Sequence, residues 1–173
     1  MDTWPYLLIL PVLAGILVQD LRFRAISWYW LPLLFGALLF QAFTHRNTEL
    51  IVSDFMTNLV FIGIQLVVIT LYFSVKEGRL TWVVNRFIGS GDLLFLVALS
   101  IGFAPFNFVL FTLLALVFSL LAFPVMMAVQ RKRPATIPLA GLMSVPLMAG
   151  AVLMALNGPL NVFYEDWWYP WIM

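Results

Sequence analysis

The sequence contains no cysteine and a single histidine, and only 10% of its 173 residues carry a formal charge. Without cysteine there are no disulfides, no thiolate zinc site and no cysteine nucleophile. So little charge excludes a disordered chain, which needs a polar composition to stay unfolded. It also excludes a nucleic-acid binder, which needs a basic surface to meet phosphates. Internal repeats and low-complexity runs are missing too. What fills the chain instead is apolar: 64% of residues are hydrophobic and the mean hydropathy is +1.03. Soluble domains are roughly half apolar and a quarter charged, and a water-soluble globule of this size has too much surface for its volume to hide the excess.

The apolar residues come in blocks. Stretches that read as membrane spans lie at 4–19, 28–43, 55–75, 92–104, 106–129 and 138–157, the fourth short and separated from the fifth by Pro105. The pattern predicts an all-α, polytopic integral membrane protein with six transmembrane helices in one membrane-embedded domain over 1–173. Asp2 makes the extreme N-terminus acidic and no small-residue cleavage site follows, so the first span is expected to stay rather than leave as a signal peptide. The aromatic stretch 158–173, with Phe163, Tyr164, Trp167, Trp168, Tyr169 and Trp171, reads as an interfacial anchor.

The charges give the sidedness. Arg22 and Arg24, then Lys76, Arg79 and Arg86, then Arg131, Lys132 and Arg133 fall in alternate connectors; of the nine basic residues only Arg46 lies on the other side. Basic residues concentrate in cytoplasmic loops. Both termini are therefore expected outside and three basic connectors in the cytoplasm, in an inner or plasma membrane. Most acids have a bland explanation: Asp2, Glu49, Asp54, Glu165 and Asp166 lie on the outer side in polar company, and Glu77 lies between Lys76 and Arg79 as a solvated loop charge.

Asp20 and Asp92 differ. One closes the first span and the other opens the fourth, both on the cytoplasmic side and at the same depth. Singly, Asp20 could pair with Arg22 or Arg24, and Asp92 could stabilise a helix start. Acids close to hydrocarbon are costly and tend to be functional. Two carboxylates sharing one proton are the machinery of aspartic proteolysis: one activates water, the other polarises the scissile carbonyl. Gly89 and Gly91, around Ser90, give the backbone before Asp92 the freedom to let an extended substrate approach.

These residues resemble a known family. Gly89-Ser90-Gly91-Asp92 looks like the GxGD motif of intramembrane aspartic proteases. The run Asp20-Leu21-Arg22-Phe23-Arg24-Ala25-Ile26 resembles the aspartate-and-arginine stretch of type IV prepilin peptidases, and Ile137-Pro138-Leu139-Ala140-Gly141 resembles the start of their last helix. The chain departs from that pattern at Ser27 (usually Pro), Trp28 (often Asn) and Leu94 (commonly basic). With no cysteine for the zinc-binding domain of the larger members, the chain is similar to the short, protease-only branch. That resemblance implies Asp20 and Asp92 as catalytic residues and Gly89, Ser90 and Gly91 as the active-site loop. It implies cleavage of basic leaders from pilin-like membrane precursors at the cytoplasmic face, without N-methylation and without cofactor or metal. Arg22 and Arg24 are candidate contacts to substrate or lipid.

Two other functions stay open on the residues alone. A proton-coupled transporter could use the two aspartates as a relay, although acids near the bilayer midplane and an internal repeat would suit it better. A non-catalytic component of a pilus or secretion assembly would need neither aspartate. Gln65, mid-span, is expected to hydrogen-bond between helices, and His45 has no partner at ligand spacing. The basic run 131–133 is a topology signal that could also meet anionic lipid. The segment 80–88 reads as a short helix on the membrane surface, placed to guide substrate towards Asp92. Gly141, Ser144, Gly150 and Ala151 read as small residues for close helix packing.

Overall fold

In a computed structural model of the chain, every apolar block becomes a helix: α1 (Trp4–Phe23), α2 (Trp30–His45), α3 (Thr48–Glu77), α4 (Ser90–Ser100), α5 (Pro105–Gln130) and α6 (Leu139–Ala155). The structure describes residues 4–23, 25–84, 86, 88–130, 138–156 and 162–164, with the backbone alone at 127–130. No strand occurs among the described residues. Three helices, α1, α3 and α5 over Pro105–Met126, are long and apolar enough to cross a membrane; α2, α4 and α6 are shorter apolar helices.

The helices run past the apolar blocks at several ends. α1 continues through Asp20 to Phe23, so Asp20 sits inside its last turn rather than after it. α3 is 30 residues long and closes on Gly78, which takes φ +64° and returns its N–H to the carbonyls of the last turn. A left-handed closing residue favours glycine, which lacks the clashing Cβ. α4 has only 11 residues, a rise of roughly 17 Å.

Neighbouring helices alternate in direction. At one end of the bundle the last turn of α1 meets the first turns of α4 and α6. At the other end Tyr6 of α1 stacks with His45 at the end of α2, and Ala104, between α4 and α5, donates its N–H to the Phe163 carbonyl. The packed interior runs between these ends through Leu13, Ile16, Leu38, Phe95, Leu99 and Leu147, all without solvent exposure. Close approach relies on glycine at two points. A side chain on Gly15 would occupy the space of the Trp30 ring, and one on Gly102 would meet Leu38.

Asn58 is the polar rivet of the interior. Its Nδ2 donates to the carbonyls of Ser100 and Phe103, both at 2.9 Å, where α4 ends and its own carbonyls lack helical partners. Leaving a buried carbonyl unpaired costs about 1–3 kcal/mol. Asn58→Leu is therefore expected to lower stability by at least that amount, read as a drop in the thermal midpoint of the detergent-solubilised chain. An unchanged midpoint would show the two bonds to be dispensable.

Three sequence expectations change at this level. The segment 80–88 is not the expected helix: its described residues, 80–84, 86 and 88, form an irregular hook, with Ile88 and Arg86 donating their N–H groups to the Val83 carbonyl. Glu77 is no mere solvated charge, because it accepts from Arg79, Arg86 and Thr81. Asp54 is paired with Arg46, and both side chains are largely covered. Of the aromatic tail only 162–164 is described. Phe163 is fully buried against Tyr6 and Phe103, and Asn107 donates to the carbonyls of Val162 and Tyr164. That part is packed into the bundle end; the remainder of 158–173, like Arg24 and 131–133, lies outside the described residues.

Candidate functional site

Asp20 and Asp92 come together at the N-terminus of α6. The Gly141 N–H donates to Asp20 Oδ2 at 2.7 Å, and the Ala140 N–H donates to Asp92 Oδ1 at 3.0 Å. Consecutive backbone nitrogens are about 3 Å apart, so the two accepting oxygens lie within about 9 Å of each other at most. The first N–H groups of a helix have no partner within it and carry its positive partial charge. Here two of them are taken by two acids from distant parts of the chain.

The local sequence explains how each acid reaches that point. Asp20 lies on the inner face of the last turn of α1, four residues after the fully buried Ile16, and is itself 5% exposed. Gly141 makes its approach possible: a Cβ there would stand 3.0 Å from both the Cβ and Oδ2 of Asp20. Asp92 is half-buried in the first turn of α4. Gly89 precedes that helix in extended conformation, and a Cβ on it would stand 3.0 Å from Asp92 Oδ2, so this glycine leaves room for the carboxylate. Ser90 is exposed. Gly91 abuts Ile26, whose side chain would lie 3.7 Å from a Cβ at that position.

The connector 25–29 touches the chain neighbour of each acid. Ser27 donates its N–H to Gln19 Oε1 at 3.0 Å, and Gln19 Nε2 returns a bond of 2.5 Å to Ser27 Oγ. Gln19 precedes Asp20, and Ile26 touches the residue before Asp92, so one short connector bears on both. Sequence reasoning noted Ser27 only as a departure from a family pattern, and Gln19 not at all. The spacing of eight residues across a helix end was the available signal. The roles of the Ala140 and Gly141 amides are not legible in the sequence, which marks these residues only as part of a helix start resembling the family's and Gly141 as a small packing residue.

The other candidates are placed as follows. Arg22 is exposed in the last turn of α1, its guanidinium 5.4 Å over the Phe23 ring. Arg24 lies outside the described residues. Leu94 is 52% exposed, one turn or less from Asp92. His45 stacks on Tyr6 at 5.4 Å at the far end of the bundle. A cavity of about 600 Å³ lies at that far end too, lined by His45, Arg46, Asp54, Pro105 and Tyr164 among others. It is separate from Asp20 and Asp92. Among the described residues no three or more His, Asp or Glu side chains gather as a metal site would need.

Chemically, the aspartate end offers two carboxylates of different exposure, one buried and one half-buried, each bonded to an α6 amide and approached by a glycine. Two carboxylates brought to one helix end are the groups that general acid–base chemistry on a water needs. No family model, curated protein or solved structure matches the chain.

Proposed function

We propose that the chain is a membrane aspartic endopeptidase that removes basic leaders from pilin-like membrane precursors at the cytoplasmic face of a plasma membrane. The observation that carries this reading is the convergence of Asp20 and Asp92 on consecutive amides, Ala140 and Gly141, across separations of 121 and 48 residues. Either acid alone would serve to cap α6; the protease reading accounts for both being brought to the same two amides. A relay would have its acids strung across the bilayer rather than level at one edge.

In this mechanism the two carboxylates hold one proton between them, because close like charges resist joint ionisation. The ionised partner takes a proton from a water that attacks the scissile carbonyl. The protonated partner donates to that carbonyl's oxygen as the tetrahedral centre forms, and its collapse with protonation of the leaving nitrogen releases the new N-terminus. The substrate segment enters in extended form beside Gly89 and Gly91, with its hydrophobic helix in the bilayer and its leader at the headgroups. No cofactor takes part, and no methyl transfer follows.

The reading sets all six helices across the bilayer with both termini outside, so that Arg22, Lys76, Arg79 and Arg86 share the cytoplasmic end with the aspartates. The natural absence of cysteine allows single-cysteine labelling. A cysteine at position 79 should be closed to an impermeant maleimide in intact cells, and one at position 49 should be open to it. Labelling in the opposite sense would invert the topology and remove the cytoplasmic site.

The activity itself is tested by co-expressing the chain with precursors that carry a short basic leader before a hydrophobic helix. A shortened product is expected, with its new N-terminus, read by mass spectrometry, at the boundary between leader and helix. Cleavage elsewhere, or precursors that stay intact throughout, would defeat the proposal.

A further inference from the structure

Over residues 80–83 the hook between α3 and α4 presents its side chains in alternation. Leu80 is 90% exposed and Trp82 is 66% exposed, whereas Thr81 is 3% and Val83 0% exposed. An extended segment sends successive side chains to opposite faces, so one face of the hook is packed on the protein and the other carries two large apolar groups outward. This orientation is fastened. Thr81 donates its N–H to Ser74 Oγ at 3.0 Å and its hydroxyl to Glu77 Oε2 at 3.1 Å. Glu77 also takes Arg86 at 2.9 Å and Arg79 at 3.3 Å, tying both sides of the hook to the last turn of α3.

A connector held so firmly has no reason to hold a leucine and a tryptophan in water. Trp prefers the headgroup zone, where an apolar body and a polar N–H are both satisfied. The last turn of α3 and the hook also carry Lys76, Arg79 and Arg86, all exposed; against Glu77 alone they leave this connector cationic. We infer that the hook is a membrane-surface wedge: Leu80 and Trp82 insert at the level of the acyl chains while Lys76 and Arg79 meet the phosphates of anionic phospholipids. The inference rests on the membrane placement proposed above, with the aspartate end at a bilayer surface, and not on the chemistry assigned to Asp20 and Asp92. Its consequence for that site is direct. The hook runs through Ile88 into Gly89 and the first turn of α4, so lipid engagement fixes the backbone that carries Asp92.

The test places a spin label on single cysteines at 80, 82 and 49 in the full chain, reconstituted in vesicles of phosphatidylcholine alone or with phosphatidylglycerol. Labels at 80 and 82 should collide with oxygen in preference to an aqueous nickel chelate, and a label at 49 should show the reverse. The oxygen-to-nickel ratio at 80 and 82 should rise severalfold when phosphatidylglycerol is present, since each basic side chain near an anionic surface adds its own attraction. Lys76→Ser with Arg79→Ser should erase that rise without moving the label at 49. Leu80 and Trp82 point outward, so a cysteine there disturbs no packed contact. Labels at 80 and 82 as open to nickel as that at 49, or a ratio indifferent to phosphatidylglycerol, would overturn the inference. Neither result depends on whether the chain cleaves a precursor.

Discussion

Asparagine at position 20 or at position 92 is expected to reduce precursor cleavage to background, a loss of about a thousandfold or more, with the double variant no worse than either single one. Members of a catalytic unit fail together, because the step that needs one also needs the other. The substitution separates chemistry from structure here. An amide oxygen can still accept the N–H of Gly141 or Ala140 that the carboxylate accepts at 2.7 or 3.0 Å. The fold should therefore survive, and the thermal midpoint is expected to move little. The shared proton and the base for water are lost. Glu49→Gln is the suitable control, since Glu49 is exposed at the opposite end of the chain's charge pattern. Glu77 and Asp54 do not serve, because both hold arginines in place. Processing at the wild-type level by Asp92→Asn would end the aspartic-protease reading and leave the scaffold as the better account.

The sequence made the helices visible, and with them the shared depth of Asp20 and Asp92, because hydropathy and charge are local properties that add along the chain. It did not reveal which face of any helix is packed. All six helices are apolar around their circumference, so no polar stripe marks the outward side. Leu94 and Leu99 belong to one short helix, yet the first is 52% exposed and the second is fully buried. Lipid and protein interior are equally acceptable to leucine, and composition cannot tell them apart. The same reasoning applies to the polar residues that matter. Asn58 and Gln65 are both lone amides in the third apolar block, and the structure bonds Asn58 to the end of α4. The plug formed by Phe163 and the clamp between Gln19 and Ser27 depend on contacts that no window along the chain contains. The hook was visible as unusual, with Trp82 and Arg86 in one connector. Its mix of Trp82, Val83, Val84, Phe87 and Ile88 with Asn85 and Arg86 suits a helix lying on the membrane; the structure shows an extended stretch that alternates over 80–83.

Gly141 gives the other large expected effect, and it tests whether the approach of α1 to α6 exists for the site. A methyl group there would stand 3.0 Å from the Cβ and Oδ2 of Asp20, closer than ordinary van der Waals contact. Either the helices part or the Asp20 side chain turns, and these two helices share the most extensive helix–helix contact in the bundle. Overpacking of this kind costs about 1–3 kcal/mol, whereas alanine in place of glycine returns up to about 1 kcal/mol of helix propensity. Gly141→Ala should therefore lower stability only modestly. Cleavage should fall far more, by about a hundredfold, because displacement of a catalytic group by about 1 Å carries a penalty of that order. Gly150→Ala separates the two effects. A Cβ there would stand 3.1 Å from Val162 Cγ1 at the far end of the same helix, so it imposes similar crowding without touching Asp20. The pair is compared by thermal midpoint and by cleavage rate in the same bilayers. Similar midpoints with a rate loss confined to Gly141→Ala would tie this glycine to the placement of Asp20. Equal rates in both variants would reduce it to a packing residue.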